Sequence, residues 1–391
     1  MISLLLAIIY VSFISLGLPD SLLGSAWPVI YSELQVPISW SGIIFMIISI
    51  CTVISSLQSD RLTKRFGAGK ITAVSVVMTA FALLGFSMSH SFWMLCVFAI
   101  PYGLGAGSVD AALNNYVALH FESRHMSWLH CMWGVGASAG PYIMSMAISR
   151  TGSWNNGYRI IGVLQVVLSF IILCSLPLWK KKENGDSLAT EETAANPIPL
   201  KEVIRFPGAK EVMLAFFCYC ALEQTVGLWA SSYLVVYKGI SEITATAFAS
   251  LFFIGITAGR AVNGFLTYKL SDTKLIHLGQ GIIAAGIVML ILPLPQWAGL
   301  LGFILIGVGC APVYPCIIHS TLVHFGREKS QAMVGVQMAS AYIGTSIMPP
   351  LFGLLSNYIG IAMLPVYLFL ILAIQFIMYN RVLNVTKLEN V

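Results

Sequence analysis

Runs of about 20 apolar residues, the length at which a helix crosses a bilayer, recur along almost the whole chain. They predict twelve spans at roughly 2–31, 38–58, 70–89, 91–118, 127–149, 157–179, 209–237, 243–267, 275–294, 297–320, 331–356 and 360–380. The longest polar interruption, Lys180 to Pro207, contains KKKENGD and EETAANP and reads as a solvated linker. The pattern predicts an all-α integral membrane protein with an N-terminal six-helix bundle over 1–179, a cytoplasmic linker over 180–208 and a C-terminal six-helix bundle over 209–391. The first run lacks a basic start and a small-x-small cleavage site, and it continues through Pro19 and Asp20, so it is expected to be the first span.

The two halves resemble each other at an offset of 203 to 204 residues. Gly103, Gly105, His120, Phe121 and Gly140 recur as Gly307, Gly309, His324, Phe325 and Gly344, and Asp20 with Gly24 recurs as Glu223 with Gly227. A parallel repeat of six helices predicts a substrate site near the bilayer midplane, between the halves.

Composition supports the membrane assignment: of 391 residues 58% are hydrophobic and 9% charged, where soluble chains carry about 25% charge. Of the 21 Lys and Arg, all but four fall on one side of the predicted spans; Arg150, Arg159 and Lys238 fall on the other, and Arg260 lies near the end of the eighth span. By the positive-inside rule both termini are expected to be cytoplasmic, in a multi-pass protein of the cell membrane. The net charge of +5 reflects this asymmetry and calls for no nucleic-acid partner. All eight cysteines lie in predicted spans, without C-x-x-C or zinc spacing, and read as small packing residues. With no nucleophile–base pair, metal set or soluble domain, an enzyme, a metal and a cofactor are not expected. The expected partners are a small polar solute and lipid, with the chain acting as a monomer.

The candidate chemistry is the polar minority inside the spans. Asp110 lies in PYGLGAGSVDAALNNYVALHF, followed one turn later by Asn114 and Asn115. A charge at bilayer depth costs about 2.5–3.5 kcal/mol and so needs a partner, water or substrate. The first span reads GLPDSLLGSAWP; its prolines and glycines predict an interruption near Asp20. Its repeat mate, the seventh span, brings Glu223, Gln224, Trp229 and Tyr233 in YCALEQTVGLWASSY. For Trp229, packing or interfacial anchoring stands beside substrate contact. The fifth span sets His130 and Trp133 one turn apart, and its Gly136-x-x-x-Gly140 suits close helix crossing. An unperturbed histidine titrates near neutral pH, so His130 is expected to accept a proton or donate to a hydroxyl, with a structural role as the alternative. Gln337, with Ser340 and Tyr342, supplies neutral polar groups in the eleventh span, while Arg260 and His319 are expected in gating or structural pairs.

Between the second and third spans, SSLQSDRLTKRFG resembles the cytoplasmic signature of the major facilitator superfamily, G-x-x-x-D-R-x-G-R-R/K. Asp60, Arg61, Lys64 and Arg65 hold matching positions or charge, and Ser56 and Thr63 replace the two glycines. The resemblance implies a twelve-helix transporter in which the Asp60–Arg61 part is a charge latch. Within that superfamily, Asp110 with Asn114, and Asp20 in the first span, look most like the fucose:proton symporter branch. His130 and Trp133 depart from that branch, which has amides there. Gly136-x-x-x-Gly140-Pro141 resembles part of a drug:proton antiporter signature, but Met144 and Ser145 stand where that signature continues with Gly-Gly.

The reading is a secondary transporter performing proton-coupled symport of a sugar or similar polar solute by alternating access. Asp110 is expected to couple the proton and Asp20 to serve both proton and sugar. Asn114, Asn115, His130, Trp133, Glu223, Gln224, Trp229, Tyr233 and Gln337 are expected to line the sugar site. Sodium could use the same acids. A drug:proton antiporter exporting lipophilic compounds and an uncoupled facilitator are the alternatives.

Overall fold

The computed structural model describes residues 2–121, 123–185, 200–267, 269–292 and 295–389. Among them there is no strand. The first span is divided into α1 (Ile2–Asp20) and α2 (Leu22–Glu33). Then follow α3 (Ser41–Phe66), α4 (Ala68–Ser87), α5 (Phe92–His120), α6 (Ser123–Thr151) and α7 (Trp154–Gly185). After a single-turn α8 (Leu200–Val203) come α9 (Ala209–Val236), α10 (Glu242–Leu266), α11 (Asp272–Ile291), α12 (Gln296–Phe325), α13 (Arg327–Ile359) and α14 (Leu364–Glu389).

Counting α1 and α2 as one, the described residues contain twelve long helices, as the hydrophobic runs predict. Eleven are long and apolar enough to cross a membrane. The twelfth, α6, has the length at 29 residues but spends it on His, Ser and Gly as well as apolar side chains. The break between α1 and α2 falls at Ser21, two residues after Pro19, whose ring removes a backbone donor.

The chain forms two compact units. The first comprises α1 to α7 together with Ser241–Ser250 at the start of α10; the second comprises α8, α9, the rest of α10 from Leu251, and α11 to α14. The start of α10 is held in the first unit by two hydrogen bonds. Thr246 donates its hydroxyl to the Ser25 carbonyl at 3.0 Å, and Ser145 donates to the Ile243 carbonyl at 2.9 Å.

In the first unit, apolar packing is divided along the chain at mid-helix. Leu5, Ile9, Phe13 and Leu16 of α1 join Leu113, Tyr116 and Trp179 in one core. Leu18, and Leu22, Trp27 and Ile30 of α2, join Phe86, Tyr102 and Trp154 in the other. The seam between α1 and α6 lies across this division and is held by backbone proximity. A Cβ on Gly17 would strike the Trp133 carbonyl, and one on Gly136 the Ile14 carbonyl. The predicted small-residue pair of α6 therefore has α1 as its partner. Helix α5 is seated on α3 in a related way, with Thr52 donating to the Gly103 carbonyl at 3.2 Å and Ser56 to that of Gly107 at 3.0 Å. These bonds satisfy hydroxyls that would otherwise face an apolar surround.

Candidate functional site

Asp20 is the last residue of α1, near the centre of the Leu4–Glu33 span. As a residue it is exposed, while both carboxylate oxygens are covered by donors. Tyr102 of α5 donates its hydroxyl to Oδ1 at 2.8 Å, and Trp133 of α6 donates its indole N–H to Oδ2 at 2.8 Å. Both donors are neutral, so they orient the carboxylate without cancelling its charge. Each oxygen keeps a second acceptor position.

Two turns beyond Tyr102 on the same face of α5, Asp110 accepts from the Asn114 amide at 2.9 Å, and the same amide reaches the Asp110 backbone carbonyl at 3.0 Å. Asp110 lies within electrostatic reach of Asp20. His130, one turn before Trp133 on α6, sets its ring edge-to-face with Phe13 at 5.9 Å. One further turn back, His125 Nδ1 is hydrogen bonded to the Tyr10 hydroxyl at 2.7 Å. Asp20, Asp110, Asn114, His130 and Trp133 are thus gathered in one unit on three helices, α1, α5 and α6.

Tyr102 is not among the residues singled out by the sequence pattern. The signal was present: Tyr102 and Asp110 are eight residues apart, which on a helix of 3.6 residues per turn puts them within roughly 80° of one another. Behind Tyr102 lies a pocket of about 20 Å³ lined by Pro19, Leu23, Phe86 and Tyr158 among others. That is room for about one water and not for a sugar ring, so any solute would meet Asp20 from its exposed side.

The second unit treats its candidates differently. Trp229 is completely buried, donates its indole N–H to the Pro349 carbonyl at 2.9 Å and meets Phe352 edge-to-face. Tyr233 is also completely buried and donates to the Leu290 carbonyl at 3.1 Å. Gln337, at 0% exposure, exchanges hydrogen bonds with the Thr321 hydroxyl. These three were expected to line a sugar site; the structure instead uses them to tie α9 and α13 to their neighbours. The reason for Trp229 is angular: six residues from Glu223, it points roughly 120° away from it. Glu223, also expected at the sugar site, faces the Arg260 guanidinium at 3.8 Å. Gln224, beside it on α9, is partly exposed.

Of the signature, which the structure places at the C-terminal end of α3, Arg65 is exposed and its guanidinium lies over the Phe66 ring at 5.2 Å. The side chains of Asp60, Arg61, Lys64 and Asn115 lie outside the described residues. His319, expected in a structural pair, contacts Asp272 at 2.6 Å.

The packing role of Trp229 has a measurable consequence. Trp229→Phe leaves a buried carbonyl without its side-chain donor and is expected to lower stability by about 1–2 kcal/mol. Thermal denaturation in detergent checks this. A change in solute affinity with unchanged melting would return Trp229 to the binding surface.

Comparison with known proteins agrees with the architecture. The chain is 24% identical to Bypass of stop codon protein 6 of Saccharomyces cerevisiae, over 93% of this chain and 79% of that protein. It is 26% identical to the hexuronate transporter of Bacillus subtilis, over 73% and 68% of the two chains. It is 23% identical to the glucose/mannose transporter of the same bacterium, over 76% and 74%. Among solved structures, a D-xylose-proton symporter shares the fold with a TM-score of 0.74 at 11% identity, covering 96% of each chain. The sequence profile of the Major Facilitator Superfamily matches residues 9–349 and, a second time, 212–386. Twelve long helices among the described residues, a profile spanning nearly the whole chain and transporter relatives over most of their length make this chain a member of the Major Facilitator Superfamily, a membrane transporter and not an enzyme.

Proposed function

We propose that this transporter carries a sugar together with protons, with Asp20 as the group both cargoes use. The observation that carries the reading is Asp20 itself: an exposed residue within an apolar span whose carboxylate is oriented by two neutral donors and has acceptor positions to spare. A sugar hydroxyl fits such an acceptor, and Trp133 adds an aromatic face beside it. Protonation neutralises the carboxylate and removes the cost of holding a charge in an apolar span. Asp20 is loaded and emptied as it is exposed to one side of the membrane and then the other. Asp110, fixed by Asn114 and sensing Asp20 electrostatically, takes part in proton coupling. Two relatives named for sugar transport, one for hexuronates and one for glucose and mannose, support the choice of cargo. Both termini face the cytoplasm of a cell membrane in this reading, from the distribution of Lys and Arg.

Proteoliposome flux tests it. Sugar added outside is expected to alkalinise the medium, and Asp110→Asn is expected to cut that proton flux about tenfold or more, the loss of a group specific to one coupled step. Undiminished alkalinisation in the variant would remove Asp110 from the mechanism. Replacing sodium by potassium is expected to leave the flux unchanged; dependence on sodium would replace the proton as coupling ion.

A further inference from the structure

Among the described residues of the second unit is an ion pair for which the proton–sugar reading has no task. Glu223 lies at the centre of the Ala209–Val236 span, and Arg260 reaches it from α10 with an N···O separation of 3.8 Å. The two side chains are 10% and 16% exposed, enclosed for the most part but open to solvent. Tyr219, whose hydroxyl donates to the Cys310 carbonyl at 3.0 Å, and Cys310 itself lie within electrostatic reach of both charges. The other described Lys and Arg inside the apolar spans are exposed at their surfaces. Arg260 is therefore the cation of the described spans that is sheltered enough to bind a solute's anionic group strongly.

A guanidinium is the side chain best shaped for a carboxylate or phosphate. Here that capacity is already engaged by a carboxylate of the protein. An anionic solute would have to displace Glu223 and leave that mostly enclosed carboxylate without its cation, which is unfavourable. A neutral solute meets no such penalty.

We propose that the Glu223–Arg260 pair sets the charge selectivity of the carrier: it restricts the cargo to uncharged sugars, and Glu223 withholds Arg260 from the carboxylate of a hexuronate. This rests on the sugar-transport reading and narrows it. Glu223 is then a specificity-determining residue that acts through Arg260.

The test compares each neutral sugar with its own acid, glucose with glucuronate and mannose with mannuronate, by calorimetric titration of the purified full-length protein in detergent. The wild-type protein is expected to bind the neutral member at least about tenfold more tightly, and Glu223→Gln is expected to shift that ratio toward the acid by at least about tenfold, as a released guanidinium gains a carboxylate partner. Glu223→Gln combined with Arg260→Gln removes both charges and is expected to move the ratio back toward the wild-type value. A wild-type protein that prefers the acids overturns the proposal and leaves the sugar reading standing. So does a Glu223→Gln variant that still binds the neutral sugar with an unmoved ratio. Should that single variant not fold, the double variant decides: preference for the acid without Arg260 overturns the proposal. Binding of none of the four compounds by the wild-type protein removes the sugar reading and the proposal together.

Discussion

Asp20→Asn is expected to lower proton-driven sugar accumulation in proteoliposomes by about a hundredfold, the equivalent of the 2.5–3.5 kcal/mol assigned to a charge at bilayer depth. The variant is chosen because it preserves shape. The Trp133 N–H can only donate, so it holds the amide oxygen, and the Tyr102 hydroxyl can rotate to accept from the new amide N–H. Orientation at the end of α1 is kept while the titratable charge is lost. Sugar exchange down its own gradient, which needs a binding surface but no proton carrier, is expected to remain measurable. The contrast between the two assays separates coupling from folding. Accumulation at the wild-type level would mean that the proton is carried elsewhere and that Asp20 only binds.

Gly136→Val is expected to have the largest effect on stability. The added side chain must enter where the Ile14 carbonyl lies, and the same seam brings Gly17 against the Trp133 carbonyl and Gly140 against the Leu18 carbonyl. Overpacking usually costs about 1–3 kcal/mol when side chains can give way. Here the opposing atoms are main chain on a helix fixed at several points, so the cost is expected at or above about 3 kcal/mol. Displacing α6 from α1 also draws Trp133 away from Asp20, so transport is expected to fall with stability. Gly281→Ala on α11, where an added Cβ meets nothing within 4 Å, is the matched control. There the gain in helix propensity is expected to stabilise by about 0.5–1 kcal/mol. Equal melting temperatures for wild type and Gly136→Val would show that the α1–α6 seam is looser than its backbone contacts indicate.

The candidate site was legible where a single residue contradicts its surroundings. Asp20 and Asp110 stand out because a carboxylate in an apolar run is costly wherever that run finally packs. Glu223 and Arg260 were visible for the same reason, but their pairing was not, since 37 positions separate them and nothing local fixes which helices meet. Trp229, Tyr233 and Gln337 show the opposite case. Each is chemically suited to a sugar, and each is spent on a carbonyl or hydroxyl of its own unit. Residue type states what a side chain can bind; the rotation of its helix states what it meets.

The sequence by itself determined the twelve helices and the interruption after Pro19. Bilayer-length apolar runs and a missing backbone donor are properties of consecutive residues, and they act before any tertiary contact forms. Only the tertiary structure decided that Tyr102 and Trp133 grip Asp20, that Gly136 exists to admit α1, and that Arg260 answers Glu223. Those are contacts between distant segments, fixed by the angle at which each helix turns its side chains toward a neighbour.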